Sequence, residues 1–171
     1  MKRNLPWITS ILWLSSACFS QLEHEVTGYV PVEDPLVQQK LDQWQDLKFG
    51  LLMHWGAYSQ WGIVESWSIC PEDYGWCARR KGQNPQDYYA YLQEYEGLKT
   101  SFNPVQFDPE KWAAAARQAG MRYVVFTTKH HDGFCMFDSK HTDYKVTDPG
   151  CPFHRNPKAN IAKEIFTAFR N

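Results

Sequence analysis

The sequence predicts an α/β fold: a parallel sheet covered on its outer side by helices. Three observations carry this. Phe49 to Met53 and Tyr123 to Thr128 are apolar runs of strand length, without the alternation of a half-exposed strand. Each is followed by segments with apolar residues at helical spacing. Long polar loops leave the carboxyl end of both runs. The 171 residues are 43% hydrophobic and 22% charged with a net charge of −1, values of an ordinary globular chain. Without a Lys/Arg excess, the electrostatic footprint of nucleic-acid or anionic-membrane binding is missing.

The first twenty residues read as a secretory signal peptide. Lys2 and Arg3 precede a short apolar run around Ile11 to Leu14, and small residues follow. Pro6, Thr9 and Ser10 interrupt the run, which is too short to span a membrane. Cleavage after Ser20 puts Cys18 and Ser20 at −3 and −1, and acylation of Cys18 as a lipoprotein is the alternative. Residues 21–171 then form the N-terminal portion of a catalytic barrel, as argued below. Export permits disulfides among Cys70, Cys77, Cys135 and Cys151. A local Cys70–Cys77 bridge and free buried thiols stand equal.

Glu33 to Asp46 reads as an amphipathic helix with Leu36, Leu41 and Trp44 apolar, leading into the first strand. Trp55 to Gln83, rich in Trp, Gly and Cys, has no period and reads as a long functional loop. Asn84 as N-cap and Pro85 at N1 start a helix carrying Tyr88, Tyr91, Leu92 and Tyr95 as packing residues. Asp108 caps the next helix, with Pro109 at N1, a buried stripe of Trp112, Ala115, Ala116 and Ala119, and Gly120 at its end. After the second strand a loop rich in Asp, Pro and Gly runs to Asn160. A last helix, Ile161 to Phe169, buries Ile161, Ile165, Ala168 and Phe169. Two strands cannot close a sheet. A (β/α)₈ barrel needs about 250 residues, so the chain is expected to be its first quarter. A small doubly wound sheet is the competing architecture. The sequence ends within a helix with no stop signal, which reads as a truncated frame.

Ligands of parallel sheets bind at the carboxyl ends of the strands. His54 stands at the end of the first strand, and His130 and His131 just past the second. Each alone would be read as a core histidine; together they point to one site, and imidazole can donate to or accept from a hydroxyl. The loop between carries Trp61, Glu65, Trp67 and Trp76. Its tryptophans suit a wall for the apolar face of a sugar, although core packing is the plainer reading. Glu65 is either a site carboxylate or an exposed loop glutamate. The three histidines with Asp132 also suggest a divalent metal. Neighbouring side chains of an extended segment diverge, however, which disfavours joint ligation by His130 and His131.

These residues carry a resemblance. The segments WQDLKFGLLMHWGAYS (Trp44 to Ser59), ESW (Glu65 to Trp67), FNPVQFDPEKWAAAARQAGMRYVVFTTKHHDGF (Phe102 to Phe134) and FDSKHTDYKVTD (Phe137 to Asp148) resemble glycoside hydrolase family 29, the α-L-fucosidases. The resemblance implies a (β/α)₈-like catalytic domain and a retaining exo-glycosidase acting on terminal α-L-fucose of fucosylated glycans. No cofactor, metal or nucleic acid is implied. By position, His54, Trp67, His130 and His131 are implied to hold the fucose hydroxyls. Glu65 matches only loosely a glutamate beside the family's tryptophan, because Ser66 intervenes. The family's nucleophile and acid/base carboxylates fall beyond Asn171, so the chain alone is expected to be inactive. A fucose-binding protein without catalysis and a metal-dependent barrel hydrolase are the alternatives. Family and leader together imply an exported protein, periplasmic, extracellular or lysosomal.

Overall fold

The computed structural model describes residues 30–71 and 75–170, without the side chain of Trp76. The expected leader and Cys18 lie outside the described residues. The chain divides into two compact units, Met1–Asp42 and Gln43–Asn171.

In the first unit, Asp34 starts helix α1 (Pro35–Asp46), its carboxylate accepting from the amide of Leu36 at 2.8 Å. Gln38 donates to Asp42 one turn on, at 2.8 Å. The expected apolar stripe is present in sequence, but no residue of this helix is buried. α1 runs on into the second unit, where Trp44 meets Tyr123 edge-on at 5.9 Å.

The second unit is built on strands β1 (Leu51–Met53) and β2 (Val124–Phe126), paired in parallel with Leu51 opposite Val124 and Met53 opposite Phe126. Backbone bonds lengthen the ladder at both ends: Leu51 N to Tyr123 O at 2.9 Å, and Thr127 N to Met53 O at 3.0 Å. Both strands are shorter than their apolar runs, and one expectation is corrected. The strands are covered on one face only. Leu52 is 63% and its partner Val125 44% exposed, side by side, whereas Phe126 turns into the core. The composition of a doubly covered sheet is present, but among the described residues no element covers the second face.

The crossover from β1 to β2 carries α2 (Tyr88–Glu96) and α3 (Pro109–Gln118). Asp87, not Asn84, caps α2, accepting from the amide of Ala90 at 3.0 Å. Asn84 instead donates to Glu94. Asp108 caps α3 as expected, and Gly120 follows it at φ 81°. The buried stripe is Pro109, Ala113 and Ala116 with Trp112 half-buried; Ala115 and Ala119 face solvent. The observed stripe has the expected spacing but lies three residues earlier, and packing on α4 (Ile161–Arg170) selects between the two. α4 buries Ile161, Ala162, Ile165 and Ala168, leaving Phe169 half-buried.

The loop after β1 is not structureless. It folds into 3₁₀ turns at Ala57–Gln60, Trp67–Ile69 and Gly75–Cys77. The core joins Tyr95, Phe102, Phe134, Met136, Phe153, Ile161 and Ile165 beneath the carboxyl ends of the strands. Cys77, Cys135 and Cys151 are free, buried thiols, so the Cys70–Cys77 bridge is not formed. Burial pushes the Cys135 and Cys151 thiols up, toward the unreactive protonated form.

Candidate active site

One residue past β1, His54 alternates to the side of Leu52, and four residues past β2 stands His130. The 3₁₀ turn at Trp67 brings Glu65 between them. His54 Nδ1 lies 2.7 Å from Glu65 Oε1, and His130 Nε2 2.9 Å from Oε2. Trp67 donates its indole Nε1–H to Oε2 at 2.7 Å. An ionised carboxylate only accepts, so three N–H groups converge on it. The expectation of an exposed loop glutamate is corrected: Glu65 keeps only 21% of its side-chain surface and is the hub of the cluster. Its backbone is left-handed, at φ 49°.

His130 is the buried member, with 8% of its side chain exposed. Ser66, 1% exposed, places its hydroxyl on His130 Nδ1. The Tyr58 ring packs edge-on against the same imidazole at 5.9 Å. Burial holds His130 below the ordinary imidazole range, and the neighbouring His131 and His54 act in the same direction. Glu65 and Asp132 oppose them. His131 meets its neighbour edge-on, with ring centroids 4.8 Å apart and planes at 82°, and lies against Trp67 at 5.0 Å. It is exposed, and among the described residues its contacts are through the ring. His54 Nε2 likewise carries no hydrogen bond among the described residues.

The expected tryptophan wall reduces to Trp67. Trp55 packs into Phe102, Phe107 and Trp112, and Trp61 against Tyr91 and Tyr95, all within the core. Trp76 contributes no described side chain. Beside Trp67 and His131 an open hollow of about 480 Å³ is bordered by Ile69, Tyr88, Leu92, Glu96 and Asp132.

The four-ligand metal arrangement does not form. Asp132 is instead taken by the Tyr95 hydroxyl at 2.8 Å and the Phe134 amide at 3.1 Å. That contact adds to burial in raising the Tyr95 hydroxyl far above its usual range. By donor type, His54, Glu65 and His130 could hold a divalent cation, their atoms lying within 4.8 Å of one another. Here both nitrogens bond to Glu65 itself. The structure thus brings together His54, Trp67, His130 and His131, gathers Glu65, already a candidate carboxylate, at their centre, and adds Ser66. Nothing in the pattern around Ser66 marks it; only its burial on His130 does.

The family pattern described as alpha-L-fucosidase matches residues 16–171. The chain is 30% identical to human plasma alpha-L-fucosidase over 156 residues, which are 86% of this chain and 31% of that protein. It is also 30% identical to the alpha-L-fucosidase of Branchiostoma floridae, over 94% of this chain and 34% of that one. It therefore spans about a third of the length of the curated relatives it matches. Alpha-L-fucosidase isoenzyme 1 from Paenibacillus thiaminolyticus superposes with a TM-score of 0.59 at 38% identity, covering 78% of this chain and 27% of its own. A Bacteroides thetaiotaomicron family 29 alpha-L-fucosidase, solved as a trapped covalent intermediate with 2-fluoro-fucosyl fluoride, superposes with a TM-score of 0.56 at 31% identity. That match covers 84% of this chain and 29% of the other.

Proposed function

The chain belongs to the α-L-fucosidase family, and from that premise we propose that it supplies the sugar-holding part of a retaining exo-α-L-fucosidase. The observation that carries this reading is the Glu65 cluster at the strand ends, with His54, His130 and Trp67 converging on one carboxylate. Glu65 has its outward lone pairs for sugar hydroxyls, since each carboxylate oxygen accepts more than one bond. His54, whose Nδ1–H faces Glu65, can accept from a further hydroxyl at Nε2, and the ring of His131 offers one donor and one acceptor nitrogen. Trp67 offers its face to the apolar side of the ring.

Retaining hydrolysis uses two carboxyl groups about 5–5.5 Å apart, one attacking the anomeric carbon and one serving as acid and then base. Glu65 is committed to three N–H partners, and Asp132 is held by Tyr95 and a backbone amide. Neither is placed here as nucleophile. That role falls to carboxylates of later strands in a (β/α)₈ barrel of which β1 and β2 are the first two. The hydrogen-bonding chemistry requires no metal. Like its plasma relative, the protein is proposed to be exported, through the leader at residues 1–20.

Titration with L-fucose tests the reading. The indole N–H resonance of Trp67 should shift and saturate, and D-glucose should leave it unmoved. Binding lost on EDTA treatment and regained with Zn²⁺ would instead select the metal-dependent reading.

A further inference from the structure

Ser66 separates the glutamate from the tryptophan and has no role in the scheme above. Its side chain is buried, and its one hydrogen bond among the described residues runs to His130 Nδ1. We propose that Ser66 is a positioning residue: its hydroxyl donates to His130 Nδ1 and holds the imidazole, in the Nε2–H tautomer that Glu65 requires, in the one orientation that donates to Glu65.

The argument is one of donor arithmetic. A neutral imidazole carries one N–H and one acceptor nitrogen, and the partner of one fixes the state of the other. His130 Nε2 stands 2.9 Å from a Glu65 oxygen that can only accept, so Nε2 must hold the proton. Nδ1 is then the acceptor, and Ser66 is the hydroxyl that supplies its proton. The reverse arrangement, Nδ1–H donating to Ser66, would set two acceptors against each other across the Glu65 contact unless the ring took a second proton. The groups facing the ring decide against that second proton. His54 from the end of β1 and His131 from its own loop bring further imidazoles against it, and Tyr58 and Trp67 enclose the ring with aromatic surface. Glu65 and Asp132 pull the other way, but burial outweighs them.

The consequence for ligand binding rests on the fucose reading; the tautomer does not. With Ser66 in place, the Glu65 carboxylate is held by an N–H on each oxygen and presented in one orientation. Without it, the buried Nδ1 loses its donor, and a rotation of the ring that takes Nδ1 toward another donor releases Glu65 Oε2. The proton stays on Nε2, because on Nδ1 it would have no acceptor and two acceptors would meet across the Glu65 contact.

Histidine labelled with ¹⁵N in the full chain tests this directly through two-bond ¹H–¹⁵N correlations near neutral pH. Wild type should show His130 with a proton-bearing Nε2 and a bare Nδ1. Ser66→Ala should shift the bare Nδ1 resonance downfield, as its hydrogen bond is lost, and weaken L-fucose binding about tenfold. Ser66→Thr, which keeps the hydroxyl, should restore the wild-type pattern. A proton on Nδ1 in wild type overturns the proposal, and so does a Ser66→Ala protein with unchanged spectrum and affinity. If that variant does not fold, the wild-type Nδ1 shift still decides: a value upfield of a free imidazole acceptor nitrogen supports the bond to Ser66, and a free value overturns it. A wild-type chain that binds no fucose, but whose Nδ1 resonance carries that hydrogen-bonded shift, supports the assignment of Ser66 and refutes only the sugar reading.

Discussion

At the scale of single residues, Glu65 occupies left-handed backbone, which costs an L-residue about 1–2 kcal/mol. The turn aims the carboxylate back between His54 and His130, so the strain is offset by three charge-assisted bonds. Glu65→Gln removes the charge and sets an amide N–H₂ against ring N–H groups. It should weaken L-fucose binding by about 2–3 kcal/mol with unchanged near-UV circular dichroism; affinity within threefold of wild type would remove Glu65 from the site. In an enzyme that includes the later strands, His54→Ala or His131→Ala should cost about 2–4 kcal/mol in kcat/KM on an aryl fucoside. His130 makes a pH prediction. Its folded pKa lies below the unfolded value of about 6.5, so the unfolded chain binds the proton first. Its stabilising contribution is complete above about pH 6.5 and is lost as the pH falls from there through the folded value. A thermal midpoint that is level above neutrality and declines below about pH 6.5 in wild type, with the decline abolished in His130→Gln, is the expected result.

At the scale of elements, caps and glycines set where helices and strands begin. Asp108 was legible as a cap because Pro109 and an apolar stripe follow it at fixed offsets. Asn84 was misread because Pro85 makes it look like a cap, while Asp87 three residues later holds the amide. Short polar residues that each qualify cannot be ranked without the backbone. Gly50, at the entry to β1, lies under the Tyr123 ring, where an added Cβ would meet ring carbons at 2.3 Å. Tyr123 is also backed by Trp44, so the ring has little room to yield. Gly50→Ala should destabilise the fold by about 1–3 kcal/mol in urea unfolding. The double variant Gly50→Ala/Tyr123→Ala should recover part of that loss.

At the scale of the whole molecule, the two-stranded sheet leaves Leu52 and Val125 exposed on one face and, among the described residues, both outer strand edges unpaired. An open edge with adjacent apolar side chains is a template for association. The 171-residue chain by itself is expected to bind a hydrophobic dye and to release no aryl group from a fucoside. Turnover by the purified chain that disappears in Glu65→Gln would show a self-sufficient hydrolase and end the reading of a shared site. In a closed barrel the same two residues would face the interior, so Leu52→Thr should improve solubility of the isolated chain yet destabilise a complete barrel.

The sequence by itself determined the order of elements, the parallel pairing of two apolar strands, and the gathering of His54, Trp67, His130 and His131 where those strands end. These follow from local periodicity and from the rule that parallel strands share a carboxyl end. Only the tertiary structure decided which side of each element is buried and what each polar group bonds to. The helical stripe of α3 fell three residues before its alternative because α4 packs there. Trp55 and Trp61 went to the core because Phe102, Phe107 and Tyr91 surround them. Glu65 became the hub and Ser66 its silent support because a left-handed turn folds the loop back over the strand ends. Such outcomes depend on contacts between residues tens of positions apart, and neither spacing nor composition encodes them.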